Sequence, residues 1–165
     1  MHLVKRVFGL ILLSHAALGQ ADDLLSDPRY RSLELGHYGI PRGASNHDIS
    51  VAQDGNNNEL VSYQVGSRHR ADISQTGDLN STKIWQLGAR HYANVNQQGI
   101  EHEILLMQIG VSNSAHVQQF GYANDAKVLQ VGVGNSVDIY QSGSNLNVSV
   151  RQFGAFRHAQ IKQTN

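Results

Sequence analysis

A glutamine returns every eleven residues, with no insertion, through most of this chain: Gln53, Gln64, Gln75, Gln86, Gln97, Gln108, Gln119, Gln130, Gln141, Gln152 and Gln163. Two residues after each of the first ten stands a glycine: Gly55, Gly66, Gly77, Gly88, Gly99, Gly110, Gly121, Gly132, Gly143 and Gly154. A register this strict means one supersecondary unit stacked repeatedly on itself, so the period constrains the fold before any local propensity does.

The unit has an internal phase. Two residues before each glutamine the side chain is apolar, as at Ile73, Ile84, Val95 and Leu106, except at Ser62. Four before, it is apolar again except at Thr82. Six before come His47, Asn58, His69, Asn80, His91, His102, Asn113, Asn124, Asn135, Leu146 and Arg157. The residues between are mixed. This period of two over about seven residues describes a strand with one buried face. The glycine then supplies a positive φ or a close backbone approach, and pairs such as Asn56-Asn57, Ser67-Arg68, Asp78-Leu79 and Gly134-Asn135 continue a turn. A right-handed helical coiled coil also has an eleven-residue period. It fails here because a glycine in every unit costs a helix about 1 kcal/mol each, and the apolar spacing is two rather than three and four. The expected fold is an all-β solenoid of eleven strand-turn units, with two strands per 22-residue rung and two parallel sheets. Each rung rises roughly 4.8 Å.

Glutamine and asparagine on the buried face demand partners. Stacked at rung spacing, each amide donates to one neighbour and accepts from the other, so the expected interior carries ladders of the eleven glutamines and of Asn58, Asn80, Asn113, Asn124 and Asn135. His47, His69 and His91 are one rung apart and stack at one corner. Neutral imidazole both donates and accepts, so it substitutes for asparagine; the sharper alternative is a pH-sensitive or metal-binding column.

Composition bounds the rest. Lys and Arg number 13, Asp and Glu 13, and cysteine is absent. That excludes a basic nucleic-acid footprint and disulfide or thiolate-metal chemistry, and no cofactor motif is present. Residues 1–21 read as a secretory signal: Lys5 and Arg6, a short apolar run from Val7 to Leu13, then small residues suited to cleavage. Residues 22–44 hold both prolines and no eleven-residue beat, which fits a flexible leader or an export tag. Residues 45–165 hold the repeat and no proline, as a continuous backbone ladder requires.

The pattern Gln-x-Gly-x-x-Asn-x-Ala-x-x-x-Gln resembles the curlin repeat of bacterial curli fibres. Gln108-Ile109-Gly110 with Asn113, Ala115 and Gln119 matches it fully, as does Gln119-Phe120-Gly121 with Asn124, Ala126 and Gln130. The stretch from Arg70 to Asn80 is similar to a repeat of the minor, nucleating subunit. The resemblance implies a secreted, cell-surface fibre protein of a Gram-negative bacterium that self-associates and nucleates a major curlin subunit in adhesion and biofilm. It also implies an outer-membrane export pore with accessory secretion factors as partners. Residues 22–44 take the place of the family's export segment. The terminal unit, with Arg157 and Lys162, takes that of its surface-attachment segment. The rival readings are a self-polymerising major subunit, a soluble binding solenoid and a β-helical enzyme. Against the last two, the chain lacks a regular outward threonine array, turn aspartates at fixed places and a recurring carboxylate pair.

Overall fold

The structure, a computed structural model, describes Phe8–Ser14 and residues 46–165. The reading of residues 22–44 as an export segment lies outside the described residues, and so does all of the signal segment except the backbone of Phe8–Ser14. The described residues form twelve strands, of which all but the first follow the alternation of apolar and polar residues: β1 (Phe8–Ser14), β2 (Asp48–Asp54), β3 (Glu59–Ser67), β4 (Arg70–Asp78), β5 (Ser81–Ala89), β6 (Tyr92–Ile100), β7 (Glu103–Val111), β8 (Ser114–Tyr122), β9 (Asp125–Val133), β10 (Ser136–Ser144), β11 (Asn147–Ala155) and β12 (His158–Thr164). The odd-numbered strands form one six-stranded sheet and the even-numbered strands the other, each in chain order. All pairings are parallel, and between repeats they join residues 22 apart, as Gln75 with Gln97 and Gln86 with Gln108. The expected solenoid is therefore the fold. The strand not foreseen is β1, which lies parallel to β3 with Ser14 in register with Gln64.

The interior is thin and dry. The slots two and four residues before the glutamine meet across the gap as one cluster, including Leu60, Ile84, Ile104, Leu106, Val117 and Ile139. Alanine at Ala71, Ala93, Ala115 and Ala126 is fully buried and keeps the two sheets close. Thr82 breaks the apolar pattern at no cost: its hydroxyl donates to Gln97 Oε1 at 2.9 Å and accepts from Gln75 Nε2 at 3.2 Å. Ser62 has no such partner, and its hydroxyl is buried without a hydrogen bond.

Strands β3 to β11 are nine residues long, longer than the alternation suggested, because pairing continues through the glycine: Gly77 pairs with Gly99. The turn shrinks accordingly. Its left-handed residue stands four after each glutamine, at Arg68 (φ 58°), Leu79 (φ 60°) and Phe156 (φ 52°), and its amide bonds the turn of the rung before, as Leu79 N–H to Asn56 O at 3.0 Å. After the eighth glutamine that place belongs to Gly134, and Asn135, which the sequence offers both as a turn residue and as a ladder residue, sits in the buried column. Bulky residues hold a left-handed φ because each stacked turn over-determines the next.

The outward faces differ, which the mixed intervening residues did not announce. On the odd sheet Tyr63, Val65, Trp85, Leu87, Met107, Ile109, Leu129 and Val131 form half-buried apolar columns. On the even sheet the same places hold Ser74, Thr76, Asn96, Gln98, Gln118 and Ser142, with Phe120 and Tyr140 as an aromatic pair among them. Consecutive repeats alternate between sheets, so the two sets interleave in the chain and separate only in space.

The glycine requirement is testable at two positions. A Cβ on Gly77 would overlap the carbonyl of Gly99, whereas at Gly154 the nearest atom is Arg157 Nε at 3.7 Å. Both have positive φ, 107° and 103°. Gly77→Ala therefore combines backbone strain with overpacking against a rigid backbone and is expected to lose roughly 2–6 kcal/mol. Gly154→Ala carries the strain alone, about 1–3 kcal/mol. Urea unfolding midpoints of the two variants check the difference.

Candidate functional site

The buried polar columns are the chemical feature of this molecule. In the even sheet, Nε2 of each glutamine donates to Oε1 of the one a rung later: Gln75 to Gln97 at 2.8 Å, Gln97 to Gln119 at 3.1 Å, Gln119 to Gln141 and Gln141 to Gln163 at 2.8 Å, with Gln53 bonded likewise to Gln75. In the odd sheet Gln64 bonds Gln86, and the column continues through Gln108 and Gln130 to Gln152 at 2.8–2.9 Å. The second amide hydrogen crosses to the opposite sheet and bonds a backbone carbonyl, as Gln108 to Tyr92 O at 3.0 Å and Gln130 to Ser114 O at 2.9 Å. From Gln75 onward each glutamine thus joins successive rungs and also the two sheets.

The asparagine places make one side-chain ladder bond, Asn80 Nδ2 to Asn58 Oδ1 at 3.2 Å, and otherwise bond the backbone. Asn113 Oδ1 accepts the backbone N–H of Asn135 at 3.0 Å, and Asn124 Oδ1 accepts that of Leu146 at 3.0 Å. Their Nδ2 groups donate to the carbonyl four residues back and to a turn-glycine carbonyl one rung on, Gly132 for Asn113 and Gly143 for Asn124. Asn58, Asn80 and Asn135 repeat the arrangement. The asparagine braces the turn, where backbone groups leave the strand ladder unpaired.

Histidine reproduces the acceptor and one of the two donor contacts of this pattern. Nδ1 of His47, His69, His91 and His102 accepts the backbone N–H of His69, His91, Asn113 and Asn124, respectively, at 3.2–3.4 Å. Nε2 of His69, His91 and His102 faces the carbonyls of Val65, Leu87 and Gln98 at 2.9–3.1 Å. Only a neutral ring with its proton on Nε2 satisfies both contacts. His47, His69 and His91 stack with centroids 4.9 and 5.0 Å apart and nearly parallel planes. Their lone pairs point along the column and are spent on amides, and among the described residues no three His, Asp or Glu side chains converge as a metal site. Burial holds all four rings below the ordinary histidine value of 6.5, and the carbonyl contacts of His69, His91 and His102 oppose it only in part.

At the last unit, Arg157 Nε donates to Phe153 O at 2.6 Å, and the Lys162 ammonium lies 5.6 Å from the Tyr140 ring centroid. Phe156 beside them is 81% exposed.

Two measurements test these columns. Gln108→Leu strands the Gln86 amide hydrogen and Gln130 Oε1 in the dry interior, at about 1–3 kcal/mol for each group. Gln163→Leu, at the half-exposed end of its column, removes two bonds, one accepted from Gln141 and one donated to Asn147 O, each worth about 1 kcal/mol net. Thermal denaturation orders the two variants. The histidines give a pH dependence of known sign. Unfolded histidine takes up a proton near pH 6.5 while the folded ring stays neutral, so stability is full above that pH and falls as the pH drops through it. Comparing urea midpoints at pH 7.5 and 5.0 should show the loss. His69→Asn with His91→Asn should flatten it while preserving the pH 7.5 midpoint.

Comparison with known proteins places this geometry. The family model described as the curlin associated repeat matches residues 44–77, 70–99 and 123–154, together more than half of the chain. No curated protein matches it. Residues 100–122, between the matched segments, keep the same strands, glutamine bonds and turn glycines. The chain belongs to the curlin-repeat family.

Proposed function

We propose that this protein is the minor subunit of an extracellular curli fibre, held at the surface of a Gram-negative cell, where it nucleates polymerisation of a major curlin subunit. The observation that carries this reading is the pair of glutamine columns running unbroken from one end of the solenoid to the other, within sheets that end at β1 and β11 and at β2 and β12. Strand edges of this kind are templates for further pairing.

The mechanism is entropic. A free major subunit must fix the backbone of a whole rung, at about 1–2 kcal/mol per residue, before any ladder bond repays it. A folded edge with aligned amides and carbonyls supplies those bonds from the first strand added. No covalent bond is made or broken, so the role is structural and not enzymatic. Export through an outer-membrane pore under residues 22–44, and surface attachment through the unit around Arg157 and Lys162, complete the reading.

Charged residues scattered over the rungs, such as Asp72, Lys83, Glu103, Lys127 and Arg151, favour a minor subunit over a bulk fibre former. The test is dye-monitored polymerisation of a major curlin subunit. Sub-stoichiometric addition of this protein is expected to abolish the lag phase. A lag that does not change refutes nucleation and favours a bulk fibre subunit if this protein polymerises alone.

A further inference from the structure

The hydrogen-bonded columns have a direction, and the direction distinguishes the two ends of the solenoid. Toward β12, each glutamine offers an amide hydrogen and each Asn or His offers an acceptor. Toward β2, each glutamine offers Oε1 and the backbone at the Asn/His place offers its N–H. At the β2–β3 end no described residue meets these groups. Gln64 Oε1 is buried with no hydrogen bond, as is the hydroxyl of Ser62. In the interior, the backbone N–H at each Asn/His place finds an acceptor one rung earlier. For Asn58 and His47 no described residue supplies it.

That end already shows that it takes up an extended strand. β1 pairs with β3 in parallel register, yet the residue opposite Gln64 is Ser14, and Gln64 Oε1 stays unsatisfied. The segment just ahead of β2 has Arg42 where the repeat has glutamine. The seat therefore fits a strand carrying glutamine at the ladder place and Asn or His six residues before it. The last two units of this chain keep Gln152 and Gln163 but hold Leu146 and Arg157 at the other place. Neither side chain accepts a hydrogen bond.

We propose that the β2–β3 end is the recruiting surface, and that its partner is a different chain of the same repeat class, one whose terminal units carry both glutamine and asparagine. A second copy of this chain is a poor partner, because Leu146 and Arg157 would leave two backbone N–H groups buried and unpaired. The protein thus starts a polymer of another chain without forming one efficiently itself. This deepens the nucleation reading and rests on it for the identity of the partner.

The experiment uses the chain from Asp22 to Asn165 as seed, since every column bond described lies within residues 46–165. The growing monomer is a synthetic chain of tandem copies of residues 103–124, a full rung with Gln108, Asn113, Gln119 and Asn124. A compact globular domain is fused either directly ahead of Asn46, in place of the leader, or directly after Asn165. The fusion ahead of Asn46 is expected to restore the unseeded lag, and the fusion after Asn165 to seed like the unfused chain. The reverse pattern, or equal effects, overturns the proposal. A second arm needs no partner: Leu146→Asn with Arg157→Asn is expected to shorten the lag of this chain's own polymerisation. An unchanged lag overturns the claim about these two residues. If the unfused seed has no effect while the double variant still polymerises faster, the nucleation reading fails and the directional reading of the edge stands.

Discussion

The solenoid depends on the satisfaction of buried amides. A thin interior made largely of alanine, valine and isoleucine excludes water but supplies little apolar area per residue. It also encloses a glutamine and an asparagine or histidine in nearly every unit. Burying such groups unpaired would cost several kcal/mol each, more than these small side chains return. One geometry removes the cost: parallel strands at constant spacing, each amide meeting its own kind a rung away. Gln75, Gln86, Gln97, Gln108, Gln119 and Gln130 are all fully buried and all bonded on both sides. The apolar slots permit the fold, and the glutamines dictate its register, since a one-residue slip would turn the column outward.

The second polar column shows that residue type matters less than the placement of a donor and an acceptor. Asn113 and His91 occupy one column and perform the same two tasks, accepting a backbone N–H from the next rung and donating to a carbonyl of the turn. Histidine adds a liability that asparagine lacks. Its acceptor nitrogen is also its site of protonation, and the charged ring would donate where the column needs an acceptor. Leu146 can perform neither task, and Arg157 only the donor's, through Nε to Phe153 O; neither side chain accepts, and they stand together at one end of the molecule. Positional chemistry of this kind makes the two ends of a repetitive molecule unequal. It bears directly on function, because a fibre template acts through its ends.

Some of this was legible in the sequence and some was not. The constant eleven-residue spacing places the glutamines in columns, and alternation at Ile73, Gln75 and Ile84, Gln86 puts them on the inner face. Two features were hidden. Asparagine was read as a second side-chain ladder because its side chain resembles that of glutamine. It is one methylene shorter, and apart from the one bond between Asn80 and Asn58 it reaches the backbone of the turn instead. The apolar outer columns of the odd sheet were read as part of a mixed pattern, because Tyr63, Trp85 and Met107 alternate in the chain with Ser74 and Asn96 of the other sheet. The strand β1 carries no glutamine and no beat, so no periodicity could have placed it.

The period, the inward face and the parallel stacking follow from residue spacing and from the demands of single side chains, and so are already written in the order of the residues. Only the tertiary structure decided which atoms answer one another: the common direction of the glutamine amides, the equivalence of imidazole and carboxamide, and the unmet oxygen of Gln64. The reason is that a hydrogen bond has a donor end and an acceptor end. A string of residue names records which groups are present, whereas their polarity along the stack exists only once neighbouring rungs are set against each other in space.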